Sequence, residues 1–276
     1  MYVFPVRNGM SIEEELKERK KYELQYDKWN GVKLVALTTD NVARVEAMIY
    51  TDSSYSRSGD ENAKPKGKNI KGSSAYWFKR LKEKLDGLTS DSKLYCVDNN
   101  EEIISNLVSA IDSENSTHLN ADTIGREEIS NRIKNFSKKD FMFCLSEPEC
   151  SNFRLYMHLA EETKMGRKNP SFASKFCHYS CLYLFDKNDI KRDNYSIYDG
   201  ILREVIPHYS DRYNVIISQE YEDAIKNKDI KVYPLYWNIV GNIIENAYQE
   251  TGDKISRNGF DHLLWYYHKG RMYKLK

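Results

Sequence analysis

Two residues whose types support covalent catalysis lie in one stretch of the chain, Lys175 and Asp199, 24 positions apart. That separation is long enough for two antiparallel helices to bring an amine and a carboxylate to one cleft. A lysine amine is a nucleophile only when unprotonated, and burial or nearby cations lower its pKa towards that state. Phe172, Ala173 and Phe176 would supply an apolar setting for Lys175. The pattern is typical of Schiff-base chemistry.

Both residues also have a purely structural interpretation. Lys175 could be a surface lysine at the edge of a helix. Asp199 could be a helix N-cap, because Asp is common at that position, and one carboxylate can serve as cap and catalyst together.

Residues 172–176 (FASKF) and 195–200 (YSIYDG) resemble the catalytic elements of the helix-hairpin-helix DNA glycosylases. The likeness is greatest to the 8-oxoguanine DNA glycosylases, their archaeal branch in particular, and to bacterial proteins grouped with that fold. The resemblance implies that Lys175 is the nucleophile and Asp199 stabilises the transition state. Residues 166–168 (GRK) are similar to the Gly-x-Lys that ends the hairpin in the eukaryotic-type enzymes, so Lys168 is a rival nucleophile, although Pro170 follows it too closely for it to lie inside a helix. The resemblance implies a mainly α, two-lobed helical bundle with at most a small β element in the N-terminal half. It also implies excision of an oxidised or otherwise modified base, extruded from DNA, with β-lyase capacity.

The chain departs from this family just before Lys175. Where the family hairpin reads like Leu-Pro-Gly-Val-Gly, residues 165–170 read MGRKNP, and Ser196 stands where the family usually has Pro. These differences and the net charge of +1 favour an alternative function. This alternative is an inactive or repurposed member of the fold that binds nucleic acid or a nucleotide, with anti-phage defence as one such role. A helical protein–protein module is a further alternative, for which the sequence offers no positive feature.

Candidate DNA contacts surround the predicted nucleophile. Phosphate contacts are expected from the basic turn and the start of the next helix, namely Lys164, Arg167, Lys168, Ser171 and Ser174. Aromatic side chains stack on extruded bases. The expected pocket residues are Tyr179, Tyr198 and Trp265. Packing in the core is an equally open interpretation for each of these three.

The five cysteines are an odd number in a long chain, which fits reduced thiols in a cytosol. Cys177, His178 and Cys181, with Cys144 and Cys150 upstream, invite a metal interpretation. Some glycosylase relatives carry an iron–sulfur cluster on four cysteines near the C-terminus, but the spacing here differs. Cys177 and Cys181 are one helical turn apart, which suits core packing. We therefore expect neither a metal nor a cofactor.

The composition predicts a folded protein without membrane contact. Hydrophobic residues make up 40% and charged residues 30% of the 276 positions, and apolar runs such as 141–145 are far too short to cross a membrane. The first residues lack the apolar core of a signal peptide, so a cytoplasmic location is expected. A net charge of +1 gives no global attraction to DNA, so binding would need a local basic face. The sequence assigns no oligomeric state.

Local signals predict a predominantly helical chain with two lobes. Residues 1–120 would form a mostly helical lobe with polar loops, and 121–276 a glycosylase-like lobe with the Lys/Asp site, divided at the polar stretch 113–120. Residues 32–37 are predicted as a strand or buried link, and 51–73 as an exposed loop. Helices are predicted at about 16–29, 40 onward, 74–87, 103–111, 129–136, 153–160, 171–185, 199–207, 234–248 and 258 onward.

Overall fold

The computed structural model describes residues 24–51, 72–98, 101–115, 117, 119, 123–164 and 166–268. Within these residues it contains eleven α-helices, one two-stranded antiparallel sheet and two short 3₁₀-helices. The predicted mainly α class, with a small β element in the N-terminal half, is confirmed. Among the described helices, none combines the length and the apolar character that a membrane span requires.

Most of the helices overlap a predicted one, whereas Lys138–Ser146 and Gln219–Lys226 are helices that the local signals do not predict. The strands and α-helices are β1 (Tyr26–Trp29), β2 (Val32–Val35), α1 (Thr39–Thr51), α2 (Ser74–Asp86), α3 (Ile103–Asn115), α4 (Thr123–Lys134), α5 (Lys138–Ser146), α6 (Arg154–Ala160), α7 (Pro170–Leu184), α8 (Gly200–Arg212), α9 (Gln219–Lys226), α10 (Val232–Thr251) and α11 (Arg257–His268). The 3₁₀-helices are Leu94–Asp98 and Ile190–Asp193. Most of the predicted loop 51–73, and the predicted helix before residue 24, lie outside the described residues.

The chain forms two compact units. The described residues of the first unit are 24–51, 199–219 and 237–268, and those of the second lie between 72 and 198 and in 220–236. Helix α10 therefore begins in the second unit and continues into the first. The polar stretch 113–120, predicted as a lobe boundary, lies within the second unit.

The first unit corrects the prediction of a helix up to Trp29. Residues 26–29 are strand β1, paired with β2 so that Tyr26 lies opposite Val35. Asn30 and Gly31 both have positive φ angles, 46° and 76°. Two such residues form the turn whose twist matches a two-stranded hairpin, so Asn30 and Gly31 connect two strands and do not end a helix.

Helix α11 organises the core of the first unit by packing on α1, α8 and β2. A Cβ atom on Gly259 would lie 2.9 Å from Cγ1 of Val42, so glycine permits the close approach of α11 to α1. Helix α1 begins at Thr39, whose amide and hydroxyl donate to Asp253. Asp40, predicted as the cap, lies in the first turn.

Helix α8 continues past its predicted end near Pro207, as far as Arg212. The residue that explains this is Tyr209, which lies beyond the proline and is fully buried in the first unit. Its hydroxyl donates to the Val35 carbonyl at 3.0 Å. Burial of Tyr209 favours continuation of the helix, although Pro207 has no N–H to donate a main-chain hydrogen bond within it.

Helix α7 is the centre of the second unit, with α2, α3, α5 and α6 packed around it. Local signals determine several of these helices. Ser73 caps α2 by accepting from the Tyr76 amide at 3.0 Å, and Gly87 ends it, as predicted. Helix α3 buries the predicted apolar face, comprising Ile103, Ile104, Leu107, Val108 and Ile111.

A buried carboxylate links α3 to the residues that follow it. Asp112 is 4% exposed, and it accepts from the Thr117 hydroxyl (2.6 Å), the Leu119 amide (3.0 Å) and Nε of Arg126 (2.8 Å). Burial opposes ionisation of Asp112. Hydrogen bonds from Leu119, Thr117 and Arg126 nevertheless hold its pKa below the usual value. The carboxylate therefore stays charged in the folded protein at neutral pH.

Asp112→Asn is expected to lower the free energy of unfolding by about 3 kcal/mol, because it leaves a partly buried arginine without its counter-charge. The ionised Asp112 carboxylate stabilises the folded state fully above the pKa of the unfolded chain, and this contribution is lost as pH falls through the lower pKa of the folded state. The difference between wild type and variant should therefore shrink at low pH. Urea unfolding at pH 7 and pH 3 measures both effects. Asp186→Asn is the control, because Asp186 pairs with Lys82 at an exposed position and should cost less than about 1 kcal/mol. Equal losses for the two variants would contradict the prediction.

Candidate active site

Lys175 lies in the interior, on the central helix α7. Lys175 is only 6% exposed. Two residues near it in the sequence, Phe172 (1%) and Phe176 (0%), are also buried. The Phe176 ring lies 6.2 Å from Phe78 and 6.3 Å from Phe141, measured between ring centroids. The interpretation of Lys175 as a surface lysine at a helix edge is therefore wrong.

Asp199 is the N-cap of α8. Its backbone is extended, with φ −134° and ψ 179°, and Oδ1 accepts from the Leu202 amide at 3.1 Å. The predicted capping role is confirmed, and the residue is 8% exposed. Lys175 belongs to the second unit, and Asp199 is the first residue of a segment of the first unit.

Residues 195–198, which lead directly to Asp199, form a segment that is neither helix nor strand. Helix α7 holds one side of it. The Ser174 hydroxyl accepts from the Tyr198 amide at 3.0 Å and lies 3.3 Å from the Tyr198 carbonyl. His178, fully buried, places Nδ1 2.8 Å from the Tyr195 carbonyl. Because a carbonyl only accepts, this nitrogen carries the proton.

The start of α10 holds the other side of the 195–198 segment. The Tyr233 hydroxyl donates to the Ser196 carbonyl at 2.8 Å and accepts from the Ser196 amide at 3.2 Å. The Tyr236 hydroxyl donates to the Ile197 carbonyl at 2.8 Å. Five polar main-chain atoms of this segment thus have side-chain partners, all within the second unit. The Ser174 proton is shared between the Ser171 carbonyl at 3.0 Å and the Tyr198 carbonyl at 3.3 Å.

The predicted base-pocket residues have different environments. Tyr198 is 3% exposed and its ring meets that of Tyr236 edge-on, with centroids 5.0 Å apart. Tyr179 is half-buried, and its hydroxyl donates to Oδ1 of Asn115 at 3.0 Å. Trp265 is half-buried on α11, in the first unit. Tyr179 and Tyr198 therefore lie in the same unit as Lys175, and Trp265 lies in the other unit.

The predicted phosphate contacts divide into exposed and buried residues. Lys164, Arg167 and Lys168 are exposed on the turn between α6 and α7, and Ser171 is half-buried. Lys168 precedes the first residue of α7, as its position before Pro170 predicted, and its Nζ donates to the Lys228 carbonyl. Ser174 is fully buried and hydrogen-bonded to the chain at Tyr198, so its hydroxyl does not face solvent.

The turn itself has a defined backbone. Gly166 has a φ of +74°, which glycine adopts without strain, and its amide donates to the Thr163 carbonyl at 2.8 Å. The Thr163 amide in turn donates to the Arg167 carbonyl at 3.0 Å. Helices α6 and α7 are packed together on either side of it. The result is a helix–turn–helix whose turn displays three basic side chains.

An open cleft of about 380 Å³ lies elsewhere in the second unit, and none of its lining side chains is a predicted site residue. Its two arginines already have partners. Arg132 donates to the carbonyls of His158, in the last turn of α6, and of Glu161 and Glu162, which follow that helix. Arg154 donates to Asp140 at 2.9 Å. We therefore interpret these arginines as structural.

Sequence reasoning missed Glu114, which lies in the predicted polar linker. Its Oε1 accepts from the Ser74 amide at the start of α2, at 2.9 Å. Glu114 as a whole residue is exposed, but its carboxylate lies against the start of α2 and is desolvated there. This desolvation raises the pKa of Glu114 to about 7, although hydrogen bonds from Ser74 act to lower it. Only the packing of α2 on α3 reveals this titratable group near neutral pH.

The stability of the protein is expected to fall as pH rises from about 4.5 to about 7, in so far as Glu114 contributes. In this window the folded state retains a proton that the unfolded chain releases. Glu114→Gln should therefore reduce the slope of unfolding free energy against pH. Urea unfolding of both proteins from pH 5 to pH 8 measures the slopes. Identical slopes would contradict the assignment.

Three of the cysteines, Cys144, Cys177 and Cys181, are buried. Burial raises the pKa of the Cys177 and Cys181 thiols well above the ordinary value, so both remain protonated. Among the described residues, no group of three or more His, Cys, Asp or Glu side chains is arranged to hold a metal ion. These thiols therefore act as packing groups in the core.

Comparison with protein-family models, curated proteins and solved structures finds no match to this chain. Three features of the chain bear on its chemistry. They are the buried amine on α7, the segment that leads to the α8 cap, and the basic turn.

Proposed function

We propose that the protein is a DNA glycosylase with β-lyase capacity, which excises an oxidised or otherwise modified base. The observation that carries the proposal is the burial of Lys175 on α7. Its neighbour Ser174 is hydrogen-bonded to Tyr198, the residue before Asp199. Lysine is among the residues that are almost never fully buried unless paired. Burial disfavours the charged form of an amine, and the uncharged amine is the nucleophile.

In the proposed reaction, the target nucleotide is extruded from the duplex, since the sugar C1′ cannot be reached within it. The neutral amine of Lys175 forms a bond to C1′, and the bond to the base breaks. The base leaves with the electron pair and takes a proton. A proton then passes from nitrogen to O4′ as the C1′–O4′ bond breaks and its electron pair stays on O4′. The sugar ring opens, and C1′ and nitrogen are joined as a protonated imine. The Asp199 carboxylate stabilises the positive charge that develops on the sugar.

The second part of the proposed activity, strand cleavage, follows from the imine. The imine acidifies the C2′ proton, whose removal expels the 3′ phosphate by β-elimination. The exposed basic turn, with Lys164, Arg167 and Lys168, supplies phosphate contacts. Because the net charge is only +1, such local contacts would provide the attraction to DNA, and binding should weaken with salt.

The test is incubation of the protein with single- and double-stranded DNAs that carry 8-oxoguanine and other modified bases, in the presence of borohydride. Borohydride reduces the imine to a stable amine, so a covalent complex on one of these DNAs is expected. Such a complex identifies the base class and the chemistry together. No covalent complex on any DNA would contradict the proposed function.

A second candidate is a repurposed protein of the same fold that binds nucleic acid or a nucleotide without cleaving it. The turn sequence MGRKNP, which differs from the family hairpin, favours it. This function predicts DNA binding that survives Lys175→Ala, without base release from any substrate. Binding without base release in the wild-type protein would therefore support this candidate over the glycosylase.

A further inference from the structure

The main-chain groups of residues 195–198 form hydrogen bonds with side chains. Most buried main-chain groups are paired with other main chain, and fewer are paired with side chains or water. Here four side chains take that place. They are Ser174 and His178 from α7, and Tyr233 and Tyr236 from α10, which we call the clamp residues.

The clamp is embedded in closely packed aromatic rings. Tyr233 stacks on Tyr156 with centroids 4.1 Å apart and also lies 6.2 Å from Tyr195. Phe153 meets the Tyr233 ring edge-on at 5.6 Å. Because such packing restricts the rotamers of Tyr233, its hydroxyl is held at the Ser196 main chain. The clamp therefore selects a single path for residues 195–198.

We propose that the clamp residues are positioning residues for the reaction, and this inference rests on the proposed function. They hold the backbone of Tyr198, and Asp199 is joined to Tyr198 by one peptide bond. A displacement of a catalytic group by about 1 Å can reduce a rate by about a hundredfold. The clamp thus acts through the segment, without contacting the substrate.

The chain offers two matched pairs of variants. Ser174 and Ser180 are both fully buried on α7, but the Ser180 hydroxyl has no hydrogen-bond partner among the described residues. Tyr233 and Tyr156 are stacked and fully buried, and the Tyr156 hydroxyl likewise has no partner in the described part of the chain. Ser174→Ala and Tyr233→Phe remove clamp bonds, whereas Ser180→Ala and Tyr156→Phe remove hydroxyls that make none.

The first measurement is the single-turnover rate of covalent trapping at saturating DNA, together with the Kd for DNA. Ser174→Ala and Tyr233→Phe are expected to lower the rate by at least about tenfold with Kd unchanged. Ser180→Ala and Tyr156→Phe are expected to stay within about twofold of the wild type. A loss of stability alone would change the active fraction and not the rate constant. Equal rates in Ser174→Ala and Ser180→Ala would overturn the proposal.

The second measurement is amide hydrogen exchange, which does not depend on activity. The Ser196 and Tyr198 amides should exchange faster in Tyr233→Phe and Ser174→Ala, respectively, and not in the matched controls. If the wild type traps no DNA, the proposed function fails, and exchange alone decides whether the clamp holds the segment. Unchanged exchange in both clamp variants would then overturn the clamp itself.

Discussion

Lys175→Ala is expected to abolish covalent trapping on modified DNA, a loss larger than for any other single substitution in the chain. The side chain supplies the nitrogen of the imine, so no other group on α7 can replace it. Lys175→Met is the more informative companion variant, because it retains an apolar stem in a site where the wild-type residue is only 6% exposed. Trapping by gel electrophoresis and DNA binding by fluorescence anisotropy should be measured for both variants.

Lys168→Ala is the matched control, since Lys168 is the rival nucleophile. It is exposed and precedes the first residue of α7, so its removal should weaken DNA binding and leave trapping at saturating DNA intact. Trapping that persists in both Lys175 variants would refute the assignment. Trapping that is lost in Lys168→Ala instead would move the nucleophile to the turn.

Asp199→Asn is expected to slow base release by about a hundredfold or more, while the protein remains as stable as the wild type. Asn caps helices about as well as Asp, so the bond to the Leu202 amide should be kept. The negative charge is lost, and preorganised charge stabilisation in an active site is typically worth about 10²–10³ in rate. Single-turnover base release and urea unfolding separate the two roles of the side chain.

Asp199→Ala completes the comparison because it removes cap and charge together. It should show the slow base release of Asp199→Asn and lose about 1 kcal/mol of stability in addition. If Asp199→Asn released base at the wild-type rate, Asp199 would be a cap alone. The catalytic carboxylate would then have to be sought at another residue.

The sequence by itself determined the helical class and those features whose cause lies within a few residues. The Asp199 cap involves an amide only three positions away, and the start of α2 depends on Ser73 and Tyr76. The periodic apolar residues of α3 similarly determine its buried face. Because these causes are local, residue types and spacing are sufficient to predict the Asp199 cap, a helix that begins near residue 74 and the apolar face of α3.

Only the tertiary structure decided features whose partners are distant in the chain. Residues 26–29 are expected from sequence to be helical, but they form strand β1. Pairing with β2 stabilises this strand, and the four residues alone do not indicate that pairing. Ser174 is expected from sequence to contact DNA, yet its hydroxyl accepts from the amide of Tyr198, 24 positions later. Tyr233 reaches Ser196 across 37 positions. Residue types indicated hydrogen-bonding capacity, but the packing of α7 and α10 about residues 195–198 determined which groups those hydrogen bonds join.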